Sequence, residues 1–264
     1  QESIGVRSCA SSTCTTITTA NSNMDVTLSA TNRCVVISAL VTYTGTITGS
    51  NQDDCVYVNA NARITTPLSL GEGNDYLFLY SGTYLDGEVT MGPGNDCILG
   101  LGAVTTKEIY LDDGDDGIVL TQTNTRGKTI WGGAGNDDIR IQHNNPSTLA
   151  DVRGGEGDDC ITLSTGSSVS IHGNEGSDYI NVQNMKFKNV HAGKGEDRVI
   201  VNAWSTLLPN GAVYGGQDDD DLTVSGFIPS LSDPTGGVDG GLGNDYCCFG
   251  INEVPNACET LAVC

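Results

Sequence analysis

Apolar residues along most of the chain recur in short alternating runs that follow an aspartate. Two and four positions after the aspartate the residue is nearly always apolar, as Ile139 and Ile141 are after Asp137. A further aliphatic position lies seven residues before the same aspartate, at Ile130 in this copy. Apolar residues two apart point to one face of a strand, and branched side chains suit a pleated surface. The pattern therefore predicts one strand after each aspartate and another before it.

The aspartate itself returns about every 21 residues. Its positions are Asp75, Asp96, Asp116, Asp137, Asp159, Asp178, Asp197, Asp220 and Asp245. Asp54 begins a degenerate copy, and the cysteine after it aligns with Cys34 and Cys14. A period of this length is typical of a solenoid. The sequence predicts an all-β fold, a right-handed parallel β-helix or flattened β-roll of about twelve coils with disulfide-stapled ends.

The repeat also divides the chain. We expect one β-solenoid domain over residues 1–264, with Cys-rich coils over 1–60, glycine-rich coils over 61–246 and a Cys-rich cap over 247–264. Stacked coils would place each column of apolar residues in one continuous core, because strands in neighbouring coils then run parallel.

Each aspartate closes a glycine-rich corner, where glycine permits the positive φ angles of a tight reversal. The stretch "GGAGNDDIR", residues 132–140, with "RGGEGDDCI" and "GGLGNDYCC" elsewhere, resembles the haemolysin-type calcium-binding (RTX) repeat. The resemblance implies Ca²⁺ between successive turns, held by aspartate carboxylates and glycine carbonyl oxygens. The ligands it implies are the nine aspartates from Asp75 to Asp245, with Gly73, Gly94, Gly114, Gly135 and Gly157. The motif occurs once per coil, so only one edge can carry ions.

The corners also have a purely structural interpretation. Asp and Asn tolerate tight turns and bond nearby backbone groups, so they could form hydrogen-bonded ladders. A column of stacked carboxylates repels itself, and cations would relieve that cost. Lys194, inserted in the corner "GKGED", could supply such a charge in its own coil, and Asn174 replaces a usual glycine. Both interpretations stay open from the sequence.

The charge balance limits the partners. The chain has 33 acidic and 12 basic residues, a net charge of -21, which repels nucleic acid and anionic membranes. No apolar run approaches the ~20 residues of a membrane span.

The sequence contains no recognisable catalytic set. The basic residues form no row that could bind an anionic sugar, and no nucleophile elbow, zinc-protease motif or P-loop occurs, so we expect no enzyme. One outward column holds Tyr110, Trp131, Arg153, His172, His191 and Tyr214. Its Tyr110, Trp131 and Tyr214 are the only hint of a carbohydrate groove. The stacked histidines could bind a transition metal, but a mixed outward column favours a solvated face.

Ten cysteines without a C-x-x-C spacing favour disulfides and an extracellular, secreted or cell-surface location. The disulfide candidates are Cys9, Cys14, Cys34, Cys55, Cys247, Cys248, Cys258 and Cys264. Neighbouring coils lie ~4.8 Å apart, which suits one rung-to-rung bridge within the Cys14, Cys34 and Cys55 column. Cys9 would join the remaining cysteine. Cys97 and Cys160 lie three coils apart, and we expect them to be free or to bridge to another chain.

The outer face predicts a contact surface. Its apolar candidates are Tyr76, Phe78, Tyr80, Leu99, Leu101 and Val119, and a large bare apolar patch is typical of a protein interface. We therefore expect a structural or adhesive solenoid that assembles with itself or with other extracellular structural proteins into a filament, hair or matrix, stabilised by Ca²⁺ and disulfides. The alternative is a secreted β-helix that binds or processes carbohydrate, with glycans as partners.

Overall fold

The structure, a computed structural model, describes residues 14–105, 107–125, 128–143, 150–167, 170–202, 205–225, 237–249 and 260–263. These residues wind as an all-β parallel solenoid of about ten turns, which confirms the predicted fold class. The expected twelve coils are slightly more than the turns that the structure shows. The single helix in the described residues is a 3₁₀ turn at Thr19–Asn21.

Strands that follow the corners stack in one parallel ladder. They are Thr15–Ile17, Cys34–Ile37, Cys55–Val58, Tyr76–Leu79, Cys97–Leu101, Gly117–Thr125, Asp138–His143, Cys160–Ser167, Tyr179–Lys194, Arg198–Val201, Asp221–Val224, Tyr246–Phe249 and Thr260–Val263. Pairing keeps the repeat in register, so that Ile139 lies beside Ile161 and Ile161 beside Ile180. Each column of the sequence is therefore a column in space.

Strands that precede the corners form a second parallel ladder. They are Val26–Thr27, Ile47–Ser50, Leu68–Gly71, Val89–Thr90, Ile109–Asp113, Thr129–Ala134, Asp151–Glu156, Ser170–Glu175, the second half of Tyr179–Lys194, Thr206–Gln217 and Gly237–Leu242. The predicted pair of strands per coil, one on each side of the aspartate, is confirmed.

A third, short ladder was not predicted. Its strands are Thr42–Tyr43, Arg63–Ile64, Tyr84–Leu85 and Val104–Thr105, which pair in parallel and end against Asn124 and Thr125. Parallel pairing at the equivalent position recurs within the longer strands of the C-terminal half, where Ser167 lies beside Lys186 and Lys186 beside Thr206. Strands of two residues are too short to show an alternating pattern. Their signal was the recurrence of Tyr43, Ile64 and Leu85 at steps of 21 residues, all of them buried.

The core runs the length of the solenoid as one continuous cluster of aliphatic side chains. Ile139, Ile161 and Ile180 are fully buried, as expected from their column. A further buried column, five residues before the aspartate, holds Leu70 and Met91 in the N-terminal half and small residues later on. Burying one such side chain stabilises by about 1.5–3 kcal/mol, so the stacked columns supply most of the driving force.

Disulfide-bonded cysteines lie near both ends of the solenoid. Cys14 and Cys34 are bonded, with their Cα atoms 4.5 Å apart, which is the bridge expected between neighbouring turns. Cys55, Cys247 and Cys248 are also disulfide-bonded. The other candidates, Cys9, Cys258 and Cys264, lie outside the described residues.

Candidate functional site

The repeated aspartates lie under the glycine corners, with 0–3% of their surface exposed. Each donates its backbone N–H to the Oδ1 atom of the aspartate one turn later, at 2.7–3.0 Å, and we call this column the inner ladder. It runs through Asp54, Asp75, Asp96, Asp116, Asp137, Asp159, Asp178, Asp197, Asp220 and Asp245. One side chain thus satisfies a buried amide in every turn, a need that burial of backbone groups imposes.

A second column lies beside the first and is a ladder of the kind that the structural interpretation of the corners predicts, although its residues were not singled out from the sequence. Here each backbone N–H is donated to the side-chain Oδ1 of the turn before, at 2.7–3.2 Å, so its direction is opposite to that of the inner ladder. This outer ladder joins Asp53, Asn74, Asn95, Asp115, Asn136, Asp158 and Ser177, and resumes between Asp219 and Asn244. The Asn or Asp immediately before each aspartate was the available signal.

The corner glycines are required by their backbone geometry. Gly133 has a φ of 127°, and a Cβ added there would lie 1.8 Å from the carbonyl oxygen of Asp112 in the turn before. The same column contains Asp112 and Asn174, both with positive φ. Asn and Asp are the side chains that best tolerate this region, which explains why Asn174 can replace a glycine.

The second carboxylate oxygen of the inner ladder lies in a low-dielectric setting. At Asp137 and Asp159, Oδ2 is buried and makes no hydrogen bond among the described residues. Burial raises the pKa of Asp116 to about 9 and that of Asp96 to about 8, and neighbouring carboxylates add to the effect. The pKa rises to about 7 in Asp75, Asp137, Asp159, Asp178, Asp197 and Asp220. Burial disfavours the charged form, so these groups hold protons at mildly acidic pH.

These residues fit calcium poorly. Ca²⁺ takes roughly six to eight oxygen ligands, but the spare oxygen of Asp137 lies 2.2 Å from where a Cβ of Gly132 would be, against the backbone of its own turn. The candidate carbonyl oxygens of Gly73, Gly94, Gly114, Gly135 and Gly157 each lie against the glycine of the next turn. Among the described residues, no group of three or more His, Cys, Asp or Glu could hold a metal ion. Calcium binding stays a prediction from the resemblance.

Lys194 does not supply a charge to the inner ladder. Its ammonium pairs with Glu175, which occupies the same exposed column one turn earlier. The pair lies at the solvent side of the corner, so its contribution to stability is small.

The outward residues after each corner form a strip that is mostly apolar in the N-terminal half and mostly polar in the C-terminal half. Tyr76 is 5% exposed and belongs to a small cluster with Cys34 and Cys55. The strip itself consists of Phe78, Leu99 and Val119, which are half-buried, and Tyr80 and Leu101, which are 41% and 42% exposed. The strip is therefore less bare than the sequence suggested, because Tyr76 is covered.

The aromatic column before the corners stacks on itself. Tyr110 lies 6.1 Å from Trp131, whose ring is covered by the Arg153 guanidinium at 4.4 Å. His191 stacks between His172 and Tyr214 at 5.1 and 4.7 Å. Burial lowers the pKa of both histidines, which therefore favour the neutral form. Because neighbouring rings cover each other's faces, the column is a poor platform for a sugar ring.

Cys97 and Cys160 are both half-buried on the outer face, in the expected column. Cys97 packs against the small apolar cluster, while the Cys160 thiol has a pKa raised by burial and by the neighbouring Asp138. A raised pKa keeps the thiol protonated and slow to react.

Comparison of the chain with protein-family models, with curated proteins and with solved structures gives no match. Among the described residues, no helix has the length and apolarity needed to cross a membrane. The geometry of the two ladders and of the apolar strip is therefore the basis for a functional conclusion.

Proposed function

We propose that this chain is a stiff structural or adhesive rod of an extracellular assembly. The observation that carries the proposal is the inner ladder, which joins every turn from Asp54 to Asp245 through buried side-chain hydrogen bonds. About ten turns at ~4.8 Å each give a rod on the order of 50 Å long. A bond of this kind contributes about 1 kcal/mol net, and its repetition ties together every turn from Asp54 to Asp245.

The rest of the architecture supports the same role. Stacking of near-identical turns places the core, the corners and both ladders in register, so bending the rod would strain every column at once. The Cys14–Cys34 bridge suits an oxidising extracellular setting. The apolar strip offers a lateral contact surface for another subunit.

Two measurements test the structural role. Negative-stain images of native material, with cross-linking and peptide mapping, should show rods joined to other subunits through defined residues. The control is recombinant protein alone, which shows the dimensions of a single rod. Dispersed single rods in native material, together with cleavage of an oligosaccharide by the purified chain, would exclude the structural proposal in favour of a carbohydrate-active one.

The proposed rod does not require calcium. Its corners are closed by hydrogen bonds within the protein, so we expect the same melting temperature in EDTA and in millimolar Ca²⁺ at neutral pH. An ion bound only to the folded state stabilises it by mass action. A rise in melting temperature with Ca²⁺, abolished by EDTA and absent with Mg²⁺, would show instead that cations occupy the corners.

A further inference from the structure

The apolar strip has a polar counterpart further along the rod, which makes it a local feature. In the same outward column, the C-terminal half carries mostly polar residues, namely Arg140, Thr162, Asn181 and Thr223, with Ile200 and Cys248 among them. Arg140 is paired with Asp138, and Asn181 is bonded to Tyr179 at 3.3 Å. The regular fold does not demand apolar residues at these outward positions. Phe78 and Leu99 pack against the small cluster of Cys34, Cys55 and Tyr76, while Tyr80 and Leu101 stay exposed beside them.

An acidic edge borders this strip. The corners next to it expose Asp53, Glu72, Asp113 and Asp115, and none of these four forms an ion pair within the described residues. The edge continues with Glu156, Asp158 and Glu175, and the whole chain carries a net charge of -21. A surface that is apolar in the middle and negative at one border attracts a partner with the complementary arrangement.

We propose that this strip docks an extended segment of another protein that is apolar on one side and rich in lysine or arginine on the other. A second copy of this chain is a poor occupant, because it brings the same acidic edge and the same net charge, and like charges oppose contact. The inference rests on the proposed structural role and deepens it by giving the chemistry of the neighbouring subunit.

The test uses the full chain and three short synthetic peptides: alternating leucine and lysine, alternating serine and lysine, and alternating leucine and glutamate. Binding is measured by biolayer interferometry at physiological salt. We expect the leucine–lysine peptide to bind best. Replacing the two exposed strip residues, Tyr80→Ser with Leu101→Ser, should weaken its binding roughly tenfold, since buried aromatic anchors dominate such interfaces.

The matched control is Gln142→Ser with Gln183→Ser, which changes the equivalent outward column in the C-terminal half and should leave binding unchanged. Circular dichroism and melting curves check that both double variants fold; the replaced strip side chains are exposed, so folding should be retained. Equal binding of the leucine–lysine peptide by wild type and the strip variant would overturn the proposal.

Other outcomes would also overturn it. If the serine–lysine peptide bound as tightly as the leucine–lysine peptide, charge alone would explain binding and the apolar strip would have no role. If the leucine–glutamate peptide bound equally tightly, the acidic edge would have no role in binding. A wild-type dimer in sedimentation, lost in the strip variant, would identify a second copy as the occupant. Failure of native rods to assemble would remove the structural role while leaving the peptide result intact, so the two proposals fail separately.

Discussion

Replacement of one inner-ladder aspartate by asparagine tests whether the ladder is neutral. Asp137 is 2% exposed, its Oδ1 accepts the amide of Asp116 at 2.9 Å, and its pKa is raised by burial to about 7. In Asp137→Asn the side-chain carbonyl oxygen keeps this acceptor role, and the ionisable group is lost. The variant therefore separates the hydrogen bond from the charge.

The direction of the change in folding stability with pH follows from proton binding. The folded pKa of Asp137, about 7, lies above the ordinary value of 3.8, so the folded state holds a proton that the unfolded chain releases. The stabilisation from this proton is complete below pH 3.8 and is lost as the pH rises through about 7. Between about pH 5 and about pH 8 the wild type should lose about 2–3 kcal/mol of folding stability through this group. The asparagine side chain does not titrate in this range, so Asp137→Asn should show no such pH-dependent loss of stability.

The assay is urea unfolding in EDTA at about pH 5 and about pH 8. We expect the stability of Asp137→Asn relative to wild type to increase by about 2–3 kcal/mol between the two pH values. Asp115→Asn is the control, because Asp115 is exposed and accepts the amide of Asn136 in the outer ladder at 2.8 Å. Its effect should be nearly the same at both pH values. The reasoning is refuted if Asp137→Asn destabilises more at about pH 8, which would show a charged carboxylate stabilising the fold.

Three further changes test the fold. Gly133→Ala forces a Cβ to within 1.8 Å of the Asp112 carbonyl oxygen, so thermal unfolding should show a loss of at least ~3 kcal/mol; a smaller loss would mean that the corner relaxes. Ile139→Ala should lower the free energy of unfolding in urea by about 2–5 kcal/mol. Thr162→Ala on the outer face is the control and should lower it by about 0.5 kcal/mol or less. Equal losses would contradict the assignment of Ile139 to the core. Cys14→Ser opens a loop with a sequence separation of 20 and should cost about 3 kcal/mol, measured against wild type without reductant.

The sequence by itself determined the solenoid, its two principal strands per turn and the position of the corners. These features are local consequences of residue type. Ile139 and Ile141 point to one face because successive strand residues alternate, and Gly133 is needed wherever φ is positive. Repetition then multiplied a weak local signal into a clear one. A bridge within the column of Cys14, Cys34 and Cys55 was predictable for the same reason, since the repeat makes these cysteines neighbours, but the sequence left open which two are bonded.

Only the tertiary structure decided how the corners are used. The partner of the Asp137 amide is a side chain 22 residues away, and its direction depends on how one turn sits on the next. The same stacking removes Asp116 from water and raises its pKa, because desolvation is a property of all the atoms around the group. The cover over Tyr76 and the third ladder of two-residue strands likewise arise from contacts between turns. Local composition cannot specify them, since identical corner residues could equally have faced solvent or an ion.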